Sequence, residues 1–394
     1  MTAPHRPDPI PHPVARREPP PEVNLPPAPK LTREVIAGFV EQGRHLLVQG
    51  GMGLHASDGL SGKVASSPTR RFVPVGTISA VGKNEAGLVA EIRRARSEAP
   101  HGFIGVNLMA ALNQDDFKSL ALTALAEGVS FLVQGAGISR DILRWCREAK
   151  TPFAGIVSSG RLAKMYEKWG ADFVVAEGSE AGGHIGDIGH SLPSLVEEVC
   201  AACTLPVVAA GGIVGADIGQ YLAQGAAGVQ LATRFLACSD GDAHPRFKEM
   251  HLGKTEEDVV VITSTVKGMK ARAVRNPFTD ALAQGRVFPP RAKAWFYGRD
   301  GYRGRKKSCI DCLARDLCVC RESGFKESFC ITDALLRAAI EGDVENGLFY
   351  SGSSVTRIPE RSLAELKTAH ELIATLEQEL VRWEAANQPR TAVG

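Results

Sequence analysis

The 394-residue chain has no unbroken apolar run near the roughly 18 residues needed to cross a bilayer, and its mean hydropathy is −0.06, which excludes a helical membrane protein. It also lacks an excess of charge of one sign. Lys and Arg number 46 against 44 Asp and Glu, a formal +2, so the electrostatic footprint of a nucleic-acid binder is missing. Aromatic residues are sparse, at 6%. No apolar secretory stretch opens the chain, and nine cysteines over this length make no small disulfide scaffold, so a reducing, cytoplasmic setting is the expectation. The first apolar run is not followed by GxGxxG, and there is no Walker lysine motif. A Rossmann dinucleotide site and a P-loop are therefore unsupported.

What the chain does have is glycine, 41 residues, much of it beside short β-branched runs. Residues 1–30 hold 11 of the 23 prolines and read as a disordered, partly extended tail. From residue 31 a rhythm sets in: a short apolar run, a glycine-rich or polar turn, then a stretch of helical periodicity. Eight runs follow one another: HLLVQGGM from His45, VPVGTIS from Val73, FIGVNLM from Phe103, SFLVQGA from Ser130, FAGIVS from Phe153, DFVVAEG from Asp172, PVVAAGG from Pro206 and GVQLATR from Gly228. Strands without polar alternation are buried on both faces. Eight of them with helices between favour a closed TIM-like (β/α)8 barrel, spanning residues 31–238, over an open sheet. Residues 239–324 break the rhythm, with few strand signals, and read as an inserted lid or small second domain. Residues 325–394 read as a barrel-closing C-terminal segment that ends in a helix from Ser362 to about Ala386.

In a parallel barrel the chemistry sits at the C-terminal ends of the strands. Three exits are glycine-rich: Gly51, Met52 and Gly53 after the first strand, Gly182 and Gly183 after the sixth, and Gly211 and Gly212 after the seventh. Each places backbone amides where a bulky ligand must approach the main chain. After the eighth run, Gln230, Leu231, Ala232 and Thr233 add amides and a hydroxyl where barrels commonly hold phosphate. A phosphate-bearing cofactor follows, and flavin mononucleotide (FMN) fits, with Asn107, Gln134 and Gln230 able to hydrogen-bond its ring from strand ends. His184, between glycine-rich turns at this rim, is the candidate catalytic acid or base.

QGGMG (49–53), EGSEAGGHIG (177–186), AAGGI (209–213) and GAAGVQLATRF (225–235) together resemble the nitronate monooxygenase family, formerly called 2-nitropropane dioxygenases. FMN-dependent enoyl-acyl-carrier-protein reductases share the pattern. The resemblance runs from about His45 to Ile358 and takes in HPRFKEM, STVKGMKARAVRNPF and GLFYSGSSV. It implies a TIM-like barrel with a small substrate domain and a non-covalent FMN contacted by Asn107, Glu177, Gly182, Gly211 and the stretch Gln230 to Thr233. His184 would be the base or proton relay. Glu177 stands where the family often has glutamine.

Three functions follow as expectations. The first is oxidation of an alkyl nitronate by molecular oxygen. The second is an NAD(P)H-dependent reduction of an enoyl thioester or quinone, and the third a non-enzymatic FMN-binding protein. No nucleic-acid or membrane partner is expected, and a homodimer is left open. Cys309, Cys312, Cys318, Cys320 and Cys330 fit neither a zinc-ribbon pair nor a ferredoxin run. They are read as structural thiols, with iron–sulfur and zinc as the alternatives.

Overall fold

The computed structural model describes residues 25–53, 59–81, 83–110, 114–186, 189–263, 269–285, 329 and 331–387. The five clustered cysteines, the basic run at 301–307 and the tail up to residue 24 lie outside these.

Every one of the eight apolar runs forms a strand. In chain order these are β1 (His45–Gln49), β2 (Phe72–Ser79), β3 (Phe103–Met109), β4 (Phe131–Gly135), β5 (Phe153–Val157) and β6 (Phe173–Glu177), then, past a short extra strand β7 (Gly183–Ile185), β8 (Val207–Ala210) and β9 (Gly228–Leu231). All barrel pairings are parallel, in the order β1-β2-β3-β4-β5-β6-β8-β9, and β9 pairs back onto β1 with Leu46 opposite Gly228. The ring thus closes at that pairing. The C-terminal helix Ala369–Asn387 completes the outer layer by packing on the helices Leu60–Ala65 and Ile218–Ala223.

Strand parity sorts the side chains into two cores. Leu46, Val48, Val73, Val75, Phe131, Val133, Phe173, Val175 and Val208 fill the barrel, while Leu47, Ile104, Leu132, Val174, Val207 and Val229 face the helices. The helix Arg33–Glu41 plugs the lower end of the barrel, with Leu31 and Ile36 joining the inner cluster. Residues 25–30, read from sequence as tail, lie against this end: Lys30 Nζ donates to the carbonyls of Val129 at 2.7 Å and Gly128 at 3.2 Å. Helix starts follow their capping residues. Asn84 Oδ1 accepts from Gly87 N at 2.8 Å and Ser159 Oγ from Leu162 N at 3.4 Å.

Two features depart from the expected pattern. The stretch after the barrel, read as poor in strands, contributes β10 (Val259–Thr263) and β11 (Lys270–Val274), which form an antiparallel sheet of order β10-β11-β7. Alternating lysine and arginine in KARAV hides this half-buried strand from an apolar-run search. The last helix begins at Ala369 and not at Ser362, because Thr368 Oγ1 and Glu371 exchange an N-terminal cap there. Among the described residues no helix is long and apolar enough to cross a membrane.

Candidate active site

Parity carries a polar layer onto the apolar floor of the barrel. One inward step above Val75, Gly105, Val175 and Gly228 stand Thr77, Asn107, Glu177 and Gln230, each at the C-terminal end of its strand. The glycines after β1 make room for two of them. A Cβ at Gly51 would come within 2.7 Å of Asn107 Cβ, and one at Gly50 within 3.1 Å of the Gln230 side chain. The Thr77 hydroxyl is buried with no hydrogen-bond partner among the described residues. Burial pushes the Glu177 carboxyl up to about 7, so it is poised to exchange a proton near neutrality.

Beside this layer four chain segments converge. Gly211 and Gly212 take positive φ angles of 111° and 68°, which only glycine adopts readily, and a Cβ on Gly212 would meet Glu180 Cβ at 2.6 Å and Ser353 Oγ at 2.7 Å. Gly352 N donates to Thr233 Oγ1 at 3.0 Å, and Ser353 N donates to the Glu180 carbonyl at 2.9 Å. Among the described residues, the backbone N–H groups of Gly182, Gly211, Gly212 and Ala232 donate to no protein atom. Unspent amides at the exits of three neighbouring strands are the makings of an anion site. Behind it a buried ion pair ties the strand-nine exit to the C-terminal segment, with Arg234 Nη1 2.6 Å and Lys367 Nζ 2.7 Å from the Glu360 carboxylate. Burial alone would raise that carboxyl; the hydrogen bonds from Arg234 and Lys367 hold it at about 2.

His184 lies on β7, next to Gly183 and opposite Ala271 of β11. Its ring makes an edge-to-face contact with Tyr350, centroids 5.6 Å apart at 67°. Burial drops its imidazole to about 4, so the ring is neutral and able to accept a proton throughout the neutral range. Tyr350 is held in turn by His251, whose Nε2 lies 3.1 Å from the Tyr350 carbonyl and whose Nδ1 lies 2.8 Å from that of Phe247.

Of the residues singled out in the sequence, Asn107, Glu177 and Gln230 share the barrel mouth, Gly182, Gly183, Gly211, Gly212, Ala232 and Thr233 share the amide-lined side, and His184 follows Gly183 on β7 with its ring against Tyr350. Gly51 and Gly53 border the mouth, Gly53 with a φ of 64°. Three side chains do not face it. Gln134 points out of the barrel, its amide paired with the Ser139 backbone at 2.6 and 3.3 Å and 3.5 Å from the Tyr166 hydroxyl, because its strand position has outward parity. Leu231 has the same parity; its side chain joins the outer core and its carbonyl accepts from Gly50 N at 3.0 Å. Met52 packs in that outer core too. Sequence reading passed over Thr77, Tyr350 and Gly352. The last two sit in GLFYSGSSV, a segment quoted for resemblance without a role. Among the described residues no group of three or more His, Cys, Asp or Glu is arranged to hold a metal ion.

The chain as a whole is similar to several known proteins. Residues 74–379 match the family described as nitronate monooxygenase. A Mycobacterium tuberculosis protein named (3aS,4S,5R,7aS)-5-hydroxy-7a-methyl-1-oxo-octahydro-1H-indene-4-carboxyl-CoA dehydrogenase is 30% identical over 245 residues, covering 61% of this chain and 66% of that protein. A probable nitronate monooxygenase of Staphylococcus aureus is 36% identical over 155 residues, covering 37% and 43%. Both alignments span less than two thirds of the relative's length. The structure of FabK from Thermotoga maritima superposes with a TM-score of 0.70 at 27% identity, covering 90% of this chain and 97% of that one. A nitroalkane oxidase from Streptomyces ansochromogenes shares the fold, with a TM-score of 0.66 at 22% identity over 88% and 99% of the two chains. From the family match over most of its length and the barrel that carries it, the chain belongs to the nitronate monooxygenase family of oxidoreductases.

Proposed function

We propose that the protein is an FMN-dependent oxidoreductase that oxidises alkyl nitronates with molecular oxygen. The observation that carries the cofactor is the set of unspent N–H groups at Gly182, Gly211, Gly212 and Ala232, which with the Thr233 hydroxyl suits a phosphate. The inward layer of Thr77, Asn107, Glu177 and Gln230 suits the polar edge of a flavin ring, and the glycine after β1 leaves a flat approach beside it. Bound FMN supplies a two-electron acceptor that can pass its electrons on to oxygen. The chain's own part is to bind, orient and handle protons. Where the neutral nitroalkane is the species that enters, neutral His184 can take the proton from its nitro-bearing carbon to give the nitronate, and its low basicity in the protein keeps it from being protonated beforehand.

A second reading, oxidoreduction beside a coenzyme A thioester carbonyl, is favoured by the mycobacterial relative, whose name places its substrate in that class. A neutral nitroalkane or a thioester needs a base such as His184 at its acidic carbon, whereas a preformed nitronate does not. Anaerobic mixing of the flavin-loaded protein with propyl nitronate, NADH, NADPH or an acyl-CoA separates them. Flavin bleaching by propyl nitronate and not by the others supports the nitronate reading, while bleaching by a nicotinamide or the thioester alone overturns it.

Two expectations follow for the cofactor. The flavin should leave the protein on acid precipitation, since no histidine or cysteine attachment motif accompanies the site, and chromatography should identify FMN. Recovery of FAD, or of no flavin after expression with riboflavin supplied, would contradict it. Thr233→Ala should weaken FMN binding by roughly 1 to 3 kcal/mol, the range of a hydrogen bond to a charged acceptor, with turnover per bound flavin little changed. The Gly352 amide already occupies a lone pair of Thr233 Oγ1, which leaves the hydroxyl proton to donate. An unaltered dissociation constant would mean that phosphate is held elsewhere.

A further inference from the structure

Arg272 stands on β11 opposite Gly183 of β7, in the small sheet outside the barrel. Its side chain is half-buried, and Nη1 donates to the Ala181 carbonyl at 2.8 Å and also to the Ser179 carbonyl. The carbonyl between them, that of Glu180, accepts from Ser353 N at 2.9 Å. Three successive peptide planes of the strand-six exit are therefore fixed by their oxygens.

A trans peptide fixed by its oxygen is fixed by its hydrogen too. The Ala181 carbonyl and the Gly182 N–H belong to one plane and point in opposite directions, so the bond from Arg272 turns the Gly182 N–H away from the guanidinium. That N–H is one of those donating to no protein atom among the described residues. The Glu180 carboxylate, whose charge acts on Arg272, is engaged by Leu192 N at 3.0 Å. Glycine at 182 is free to take other backbone conformations, and without the clamp the plane could rotate.

We propose that Arg272 is a positioning residue for a phosphate group: by holding the Ser179 and Ala181 carbonyls from outside the barrel it aims the Gly182 amide at the anion bound between the strand-six and strand-eight exits. This rests on the reading of that cleft as the phosphate end of the FMN site. The antiparallel pair β10 and β11 then has a second use besides supporting His184. It sets the donor geometry of the cofactor loop.

The test compares FMN with riboflavin, which differs by lacking the phosphate. Apo-protein is titrated with each, following flavin fluorescence, for the unsubstituted chain, Arg272→Met and Arg272→Lys. The unsubstituted protein should prefer FMN. Arg272→Met should lose about tenfold of its FMN affinity, the scale of one charge-assisted hydrogen bond, and keep its riboflavin affinity within about twofold. Arg272→Lys, whose ammonium carries enough donors for both carbonyls, should recover most of the preference. Parallel loss of FMN and riboflavin affinity would show Arg272 to be a general support, and an undiminished FMN preference in Arg272→Met would show it to be idle; either overturns the proposal. Absence of any FMN preference in the unsubstituted protein would overturn the phosphate reading itself, a different failure from the other two. If Arg272→Met does not fold, judged by circular dichroism, Arg272→Gln is used with the same criteria.

Discussion

His184→Asn should lower turnover on a neutral nitroalkane by about 10²- to 10⁴-fold, the usual contribution of a positioned acid or base. Asparagine keeps a polar side chain of similar reach and removes the titratable nitrogen, so FMN content should not change. A preformed nitronate has already lost its proton, so its oxidation should suffer less and serves as an internal control. The pH profile adds a second mark. Burial holds the imidazole at about 4, so the acidic limb of kcat/KM on the neutral substrate should fall near pH 4 and be absent from the variant. The sign is fixed by the role: a base works unprotonated, and activity declines as pH drops through that value. A near-unsubstituted rate on the neutral substrate, with full flavin occupancy, would return His184 to a merely structural place on β7.

The barrel was legible because its signal is local. A strand buried on both faces is a continuous apolar run, and most of the eight end in a turn that glycine marks, β3 and β9 being the exceptions. Parity within a run is legible too, but it takes a count along the strand to see it. Gln134 and Asn107 both look like polar residues near strand ends; only counting from Val133 and Gly105 shows that one faces the helices and the other the mouth. The same count removes the Leu231 side chain and brings in Thr77.

What sequence spacing could not carry was the meeting of distant segments. Nothing local says that Gly352 will donate to Thr233, or that a charged strand at 270–274 will pair with the residues around His184. KARAV alternates because Ala271 and Ala273 pack inward and Arg272 reaches the loop after β6, a pattern too short to separate from a helix by periodicity. Tyr350 was hidden for a related reason. An aromatic in a loop segment carries no periodic mark, and its importance comes from the His184 ring and the His251 anchor, each remote in sequence.

Gly182→Ala should cost more FMN affinity than any other single-atom change in the cleft, with the barrel still folded. A Cβ there would lie 2.4 Å from both the Gly352 nitrogen and the Ser351 carbonyl carbon, and these are backbone atoms that no rotamer change can move. One of the two segments has to shift by about an ångström to reach ordinary contact, and both are held. Arg272 grips the loop through Ala181, while Gly352 and Ser353 are bonded to Thr233 and Glu180. Whichever yields, the Gly182 amide or the Thr233 hydroxyl is re-aimed, and a misplacement of that size can cost about 10²-fold in a site that depends on position. The residue itself is exposed and outside either core, so secondary structure by circular dichroism should be unchanged. Gly38→Ala is the matched control, since a methyl there meets nothing within 4 Å and sits in a helix, where alanine is favoured over glycine. Flavin retained through gel filtration measures both. Equal, full occupancy in the two variants would mean that the strand-six exit is not where FMN is held.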